Sequence, residues 1–136
     1  NPELDALLQY YAYEAERAGV RFTSRIEAPV EHFAKSIDLT VILGNLLENA
    51  VRAAGCCAGE RYTDLRVGKV SGVCMIQVRN SYDGLIDERN GKFFSTKHDG
   101  MGMGLESVRL AAQRLHGECS MKHDGHVFTV RVSLPM

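Results

Sequence analysis

Apolar positions along this chain change period several times, and each change predicts an element. Leu4, Leu7, Leu8 and Tyr11 recur at helical spacing up to Gly19, which predicts a first helix. Residues 20–26 alternate instead, with Val20, Phe22, Ser24 and Ile26 on one side, so a strand is expected there, closed by Pro29. Leu39, Ile42, Leu43, Leu46, Leu47 and Ala50 form the stripe of a second helix, with Asp38 as its expected N-cap and Gly55 and Gly59 as its stop. Residues 62–69 and 73–78 alternate again around Ser71-Gly72 and predict a hairpin. Residues 80–99 carry no sustained period and are rich in Gly, Asp, Asn and Lys. An irregular segment of that length in a compact domain is often functional, and a lid is expected over about 81–101. Residues 105–115 are helical in pattern, ended by Gly117, and residues 118–123 and 126–134 predict a last hairpin across Asp124-Gly125.

The order helix, strand, helix, hairpin, irregular segment, helix, hairpin implies an α/β (α+β) two-layer sandwich. It would have a mixed sheet with three helices on one face, as a single domain over residues 1–136. The regular strand–helix alternation of a dinucleotide-binding fold is absent. The chain has no Gly-Lys-Ser or Gly-Lys-Thr, so it is not a P-loop protein.

Composition narrows the function more than the fold. At 45% apolar and 24% charged residues the chain reads as globular. The net charge of −1 gives no reason to expect nucleic acid as a partner. No apolar run approaches the roughly 20 residues that span a bilayer, so no direct membrane contact is expected from this segment. Cys56, Cys57, Cys74 and Cys119 form no CxxC pair, and all four are read as reduced thiols of a cytoplasmic protein. The start at Asn1-Pro2-Glu3, without Met, is what an excised or processed piece would show, with room for a membrane anchor upstream.

Two stretches carry candidate chemistry. Asn45 and Asn49 lie four apart within the second helix and therefore share a face. A carboxamide buried among leucines needs a partner, or it costs about 1–3 kcal/mol. The neutral oxygen of Asn49 suits Mg²⁺, which takes few protein ligands and keeps waters and phosphate oxygens. About fifty residues later, Gly100, Gly102 and Gly104 leave backbone unobstructed just before Leu105. There a helix N-terminus can face an anion.

The order Asn45-Leu46-Leu47-x-Asn49-Ala50, Asn80 after a strand, Phe93-Phe94-Ser95-Thr96-Lys97, then Gly100-x-Gly102-x-Gly104-Leu105 resembles the ATP-binding domain of sensor histidine kinases. The chain is most similar to the Agr-type quorum-sensing branch. That domain belongs to the Bergerat-fold superfamily, with gyrase, MutL and the anti-sigma-factor kinases. The likeness runs from about residue 4 to residue 135.

The resemblance implies ATP and Mg²⁺ as ligands, with the metal on Asn49. At the position of Asn45, hydrolytic members carry a Glu that activates water. Asn accepts no proton at neutral pH, so Asn45 implies transfer to an incoming nucleophile rather than hydrolysis. Arg52 corresponds to a basic residue near the polyphosphate, and could equally form an i,i+4 pair with Glu48. Asn80 stands where the family has an Asp that accepts from the adenine amino group. Asn80-Ser81-Tyr82-Asp83-Gly84 departs from the usual Asp-x-Gly-x-Gly, and Asp83 is the second choice for that role. Lys97 is a candidate counter-charge for the terminal phosphate or a solvated lysine. His98 adjoins the phosphate loop, and Thr129 matches a strand Thr near adenine.

None of the five histidines sits in a phosphoacceptor helix pattern. The phosphoacceptor His, on a helix of its own or a partner kinase chain, is therefore expected outside this segment, as are the sensor region and the downstream response regulator. Two other readings stay open. One is an anti-sigma-factor-type Ser/Thr kinase, and the other is a degenerate nucleotide-sensing module without turnover.

Overall fold

The computed structural model describes residues 2–33, 37–83, 86–89, 92–95 and 103–136, the two short stretches 86–89 and 92–95 and Met103 by backbone alone. Helix α1 (Pro2–Arg17) opens with Pro2, whose missing N–H is no loss in a first turn, and carries Glu3 and Asp5 at its positive end. It buries Leu4, Tyr11 and Ala15. Strand β1 (Arg21–Ile26) follows, then a single 3-10 turn at Val30–His32. Helix α2 (Ile37–Gly55) is the central helix, with eight buried residues from Leu39 to Ala54. Strands β2 (Tyr62–Val70) and β3 (Val73–Ser81) form a hairpin whose Ser71 and Gly72 both have positive φ, 49° and 77°. That is the signature of a type I′ turn, whose twist matches that of the strands. Strands β4 (Ile86–Arg89) and β5 (Lys92–Ser95) make a separate two-stranded ribbon. Helix α3 (Met103–Arg114) and the hairpin of β6 (Glu118–His123) and β7 (Val127–Pro135) complete the chain.

The main sheet has strand order β1-β2-β3-β7-β6. Only β1 and β2 run parallel, joined through α2; the other neighbours are antiparallel. Helices α1, α2 and α3 cover one face. The sheet supplies that face with Leu65 and Val67 from β2, Cys74, Ile76 and Val78 from β3, and Val130, Val132 and Leu134 from β7. The mixed-sheet, two-layer expectation holds.

Several boundaries differ from expectation. Strand β3 runs three residues past Val78, through Asn80 to Ser81. Its polar end is held by pairing on both sides, Thr63 and Phe128 against Asn80, and by the Tyr62 N–H donating to Ser81 Oγ at 3.0 Å. Part of the segment expected to be irregular is the β4–β5 ribbon, in register from Ile86–Ser95 to Arg89–Lys92. Asp38 lies inside the first turn of α2, where its Oδ1 accepts from Arg114 Nε at 2.8 Å, so it is not the N-cap. Ser24 is exposed, because β1 is an edge strand that half-buries only Phe22 and Ile26.

At the end of α3 it is His116, not Gly117, that takes the left-handed conformation, at φ 63°. His116 N–H donates to Gln113 O and Gly117 N–H to Ala112 O, the paired bonds of a Schellman ending. Gly117 answers a different need: a Cβ there would lie 2.1 Å from the backbone oxygen of Ser133. Only glycine lets the chain leave α3 this close to β7.

Candidate functional site

Helices α2 and α3 are antiparallel. The Asp38–Arg114 ion pair joins the start of α2 to the end of α3, while the start of α3 meets the middle of α2. At that second junction the two carboxamides stand together. A Cβ on Gly104 would lie 2.9 Å from Asn49 Nδ2, 3.2 Å from Asn45 Oδ1 and 3.4 Å from Asn49 Oδ1. Gly104 therefore lets the first turn of α3, with its unpaired backbone N–H groups, seat against both asparagines. Leu105 follows in the same turn and packs half-buried against the core; the helix itself begins two residues before it, at Met103.

The two asparagines are not equivalent. Asn45 Nδ2 donates to Val41 O, one turn back, at 2.8 Å. Asn49 Nδ2 is buried and has no hydrogen-bond partner among the described residues. Leaving such a group unpaired costs about 1–3 kcal/mol, which a bound polar ligand would recover. Which end of the carboxamide is nitrogen is an assignment that a half-turn reverses; either way a strong polar group waits for a partner beside the N-terminus of α3. Among the described residues no group of three His, Cys, Asp or Glu side chains could hold a metal. A single neutral oxygen beside an anion-binding helix end instead fits Mg²⁺ shared with phosphates. Asn49 would hold the ion, and the first turn of α3 the phosphates.

Arg52, one turn further along α2, pairs with Glu48 at 2.6 Å, both half-exposed. The i,i+4 alternative is thus present in the structure. Burial, and then the nearby Glu48 carboxylate, push the Tyr11 phenol up to about 12, so Tyr11 stays protonated beside this pair.

Asn80 is 3% exposed, on the helix-covered face at the end of β3. Its Nδ2 donates to Ser81 O at 2.9 Å, which leaves Oδ1 as the end that can accept. The next residues are pinned: Tyr82 N–H donates to His126 O, the Tyr82 hydroxyl accepts from Gly125 N–H at 3.2 Å, and its ring meets Phe128 edge-on at 5.9 Å. Asp83 lies beyond that anchor and is exposed.

Thr63, on the neighbouring strand opposite Asn80, was not among the expected site residues. It is fully buried and its Oγ1 has no partner among the described residues. The signal was available: Thr63, Leu65 and Val67 occupy the inward positions of β2, so a hydroxyl there is buried.

Thr129 is not brought to this site. It alternates with Phe128 and Val130, which face the helices, and so lies on the opposite face of the sheet between Arg79 and Lys122. Lys97, His98, Gly100 and Gly102 lie outside the described residues, as do the side chains of Phe93 and Phe94 and most of the expected lid.

Comparison with known proteins decides the family. A model of the GHKL domain matches residues 34–135, which contain every element of this site. The chain belongs to the GHKL domain family. Within it, the chain is 32% identical over 128 residues to the C4-dicarboxylate transport sensor protein DctS of Rhodobacter capsulatus, covering 85% of this chain and 19% of that protein. It is 29% identical over 98 residues to a probable C4-dicarboxylate sensor kinase of Halalkalibacterium halodurans, covering 68% and 18%. The chain thus spans about a fifth of the length of these relatives. The catalytic domain of histidine kinase ThkA superposes at a TM-score of 0.71 with 18% identity, covering 97% of this chain and 91% of that one. The fold is that of histidine kinase catalytic domains, and this GHKL chain is a catalytic ATP-binding domain of that kind.

Proposed function

We propose that this GHKL domain binds ATP with Mg²⁺ and presents the γ-phosphate to a histidine imidazole on a separate helical domain. That domain would belong to its own kinase or a partner chain. The supporting observation is the junction of Gly104 with Asn45 and Asn49, where an unpaired buried amide meets a helix N-terminus. The imidazole nitrogen attacks the γ-phosphorus, the bond to the bridging oxygen breaks, and ADP leaves with that electron pair. Bound Mg²⁺ supplies charge neutralisation on the phosphates. The chain positions the groups: Asn49 holds the ion, the first turn of α3 orients the phosphates, and Asn80 Oδ1 accepts from the adenine amino group. Asn45 has its amide committed to Val41 and offers no base. This supports transfer to an incoming nucleophile rather than to water.

The wider protein is proposed as a two-component sensor kinase whose phosphoryl group passes on to a response regulator. This domain would lie on the cytoplasmic side; among the described residues no helix is long and apolar enough to cross a membrane. The Agr-type quorum-sensing branch is a finer proposal that rests on motif spelling alone; the relatives found are named for C4-dicarboxylates.

Calorimetric titration with a non-hydrolysable ATP analogue, with and without Mg²⁺, tests the reading. Binding should tighten with Mg²⁺, and the Asn49→Ala chain should lose that dependence while staying folded. Unchanged Mg²⁺ dependence in folded Asn49→Ala would remove the metal assignment. Brisk Mg²⁺-dependent hydrolysis by this chain alone would replace the kinase reading with an ATPase.

A further inference from the structure

The helix-free face of the sheet carries a charge pattern that the nucleotide site does not use. Cross-strand register places Arg25, Arg66, Gln77, Arg131 and Ser120 in one row over five strands, and Thr23, Asp64, Arg79, Thr129 and Lys122 in the next. With Arg21, this puts six cations on one face of a chain whose net charge is −1.

Most of the β1–β2 half is neutralised locally. Arg21 pairs with Glu60 at 3.0 Å, Arg25 with Glu27 at 3.5 Å and Arg66 with Asp64 at 3.1 Å. The β3–β7–β6 half is not. Arg131 donates only to the neutral Gln77, at 2.8 Å, and Arg79 and Lys122 make no ion pair among the described residues. These three exposed cations surround Thr129 around a hollow of about 510 Å³, floored by Gln77 and Ser120. Asp124 lies at its edge, with Oδ1 occupied by the Val127 N–H at 3.1 Å. Like charges on adjacent strands are destabilising, and a complementary partner is what turns such a group to use.

We propose that this hollow docks an extended acidic segment of a partner protein, with carboxylates at alternate positions. Alternate side chains of an extended segment recur about every 6.8 Å, and adjacent strands lie about 4.8 Å apart. Arg79 and Lys122 flank Thr129 from neighbouring strands, and Arg131 lies one pleat along β7, so the three cations match two or three such carboxylates. The interspersed Asp64, Asp124 and Glu118 oppose a continuous anionic surface such as a lipid headgroup layer, while leaving room for spaced charges.

The test is an NMR titration of this chain, isotope-labelled, with a short synthetic peptide of alternating Glu and Thr. The same peptide with Gln for Glu, inorganic phosphate, and vesicles of phosphatidylcholine with phosphatidylserine serve as comparison arms. Shifts should gather on Arg79, Ser120, Lys122, Thr129 and Arg131, spare Asn45 and Asn49, and vanish with the Gln peptide. The double variant Lys122→Glu with Arg131→Glu should weaken the peptide about tenfold or more and leave binding of the ATP analogue unchanged, which also reports that it is folded. Should that variant not fold, Lys122→Gln alone should weaken the peptide in the same direction. Shifts at the asparagines or scattered over the surface, equal binding by the variants, a response to phosphate matching the peptide's, or binding to vesicles but not to peptide would each overturn the proposal.

Discussion

The two faces of the sheet are built from the same strands and differ by one residue of register. Asn80 and Phe128 point into the helical layer; Arg79 and Thr129, one position away on the same strands, point out. The inward side is neutral and, among the described residues, short of hydrogen-bond partners: Thr63 on the sheet and Asn49 on the helix above it each hold a buried polar atom without one. On the outward side Arg79, Lys122 and Arg131 are exposed cations around the half-buried Thr129. Burial with unmet hydrogen bonds suits a ligand that brings its own polar groups, such as a base and a metal-bound polyphosphate. Exposed charge suits a partner met in water. Strand parity thus separates the two kinds of recognition, because a side-chain period of two allows no residue to serve both faces.

The largest effect should come from breaking the layer that covers the inward face. Gly117→Ala places a methyl against the Ser133 backbone oxygen, which has no freedom to move within β7. A loss of about 3 kcal/mol is expected, read as a lower urea midpoint with unchanged slope. Stability within a few tenths of the parent would mean that the α3–β7 contact is looser than described.

Next come the inward asparagines. Asn80→Ala should weaken nucleotide binding by about 1–3 kcal/mol, the cost of leaving one partner unpaired. Asp83→Ala, exposed and beyond the Tyr82 anchor, should change it much less. If Asp83→Ala proves more damaging, the base is read from the loop rather than from the strand.

Thr63→Val sharpens the comparison further. Without ligand it removes an unpaired buried hydroxyl at nearly constant shape, so stability should hold or rise by up to about 1 kcal/mol. A loss of nucleotide affinity in that same folded variant would add Thr63 to the base-binding set, and a clear loss of stability would show that its hydroxyl is already satisfied. The smallest effect belongs to the outward face: Thr129→Ala should leave nucleotide affinity within about 0.5 kcal/mol, the usual range for surface changes. A larger drop would return Thr129 to the nucleotide site.

Much of this was legible beforehand. The leucine-rich stripe of α2, the asparagine pair on it and the Ser71-Gly72 turn follow from spacing and turn chemistry alone, whereas the last turn lies one residue past the expected Asp124-Gly125, with Gly125 and His126 between the bonded Asp124 and Val127. The end of β3 did not, because Asn80 and Ser81 interrupt the apolar alternation and are held by bonds from Tyr62 and by pairing to β7. The β4–β5 ribbon likewise rests on backbone pairing among mostly polar residues. Asp38 has the chemistry of an N-cap, yet a tertiary partner, Arg114, claims its carboxylate. Thr129 is a different lesson. Alternation with Val130, Val132 and Leu134 puts it on the outward face, while likeness to a family motif points to the nucleotide. The contact of Gly104 with both asparagines needed the fold, since about sixty residues separate them in the chain.

The most direct test is a crystal structure of this chain with a non-hydrolysable ATP analogue and Mg²⁺. The purine should lie beside Asn80 on the helix-covered side and the phosphates at the first turn of α3 by Gly104. An octahedral ion should sit about 2.0–2.1 Å from the Asn49 side-chain oxygen. Nucleotide bound over Thr129 on the open face, or an ion that leaves Asn49 untouched, would contradict the account.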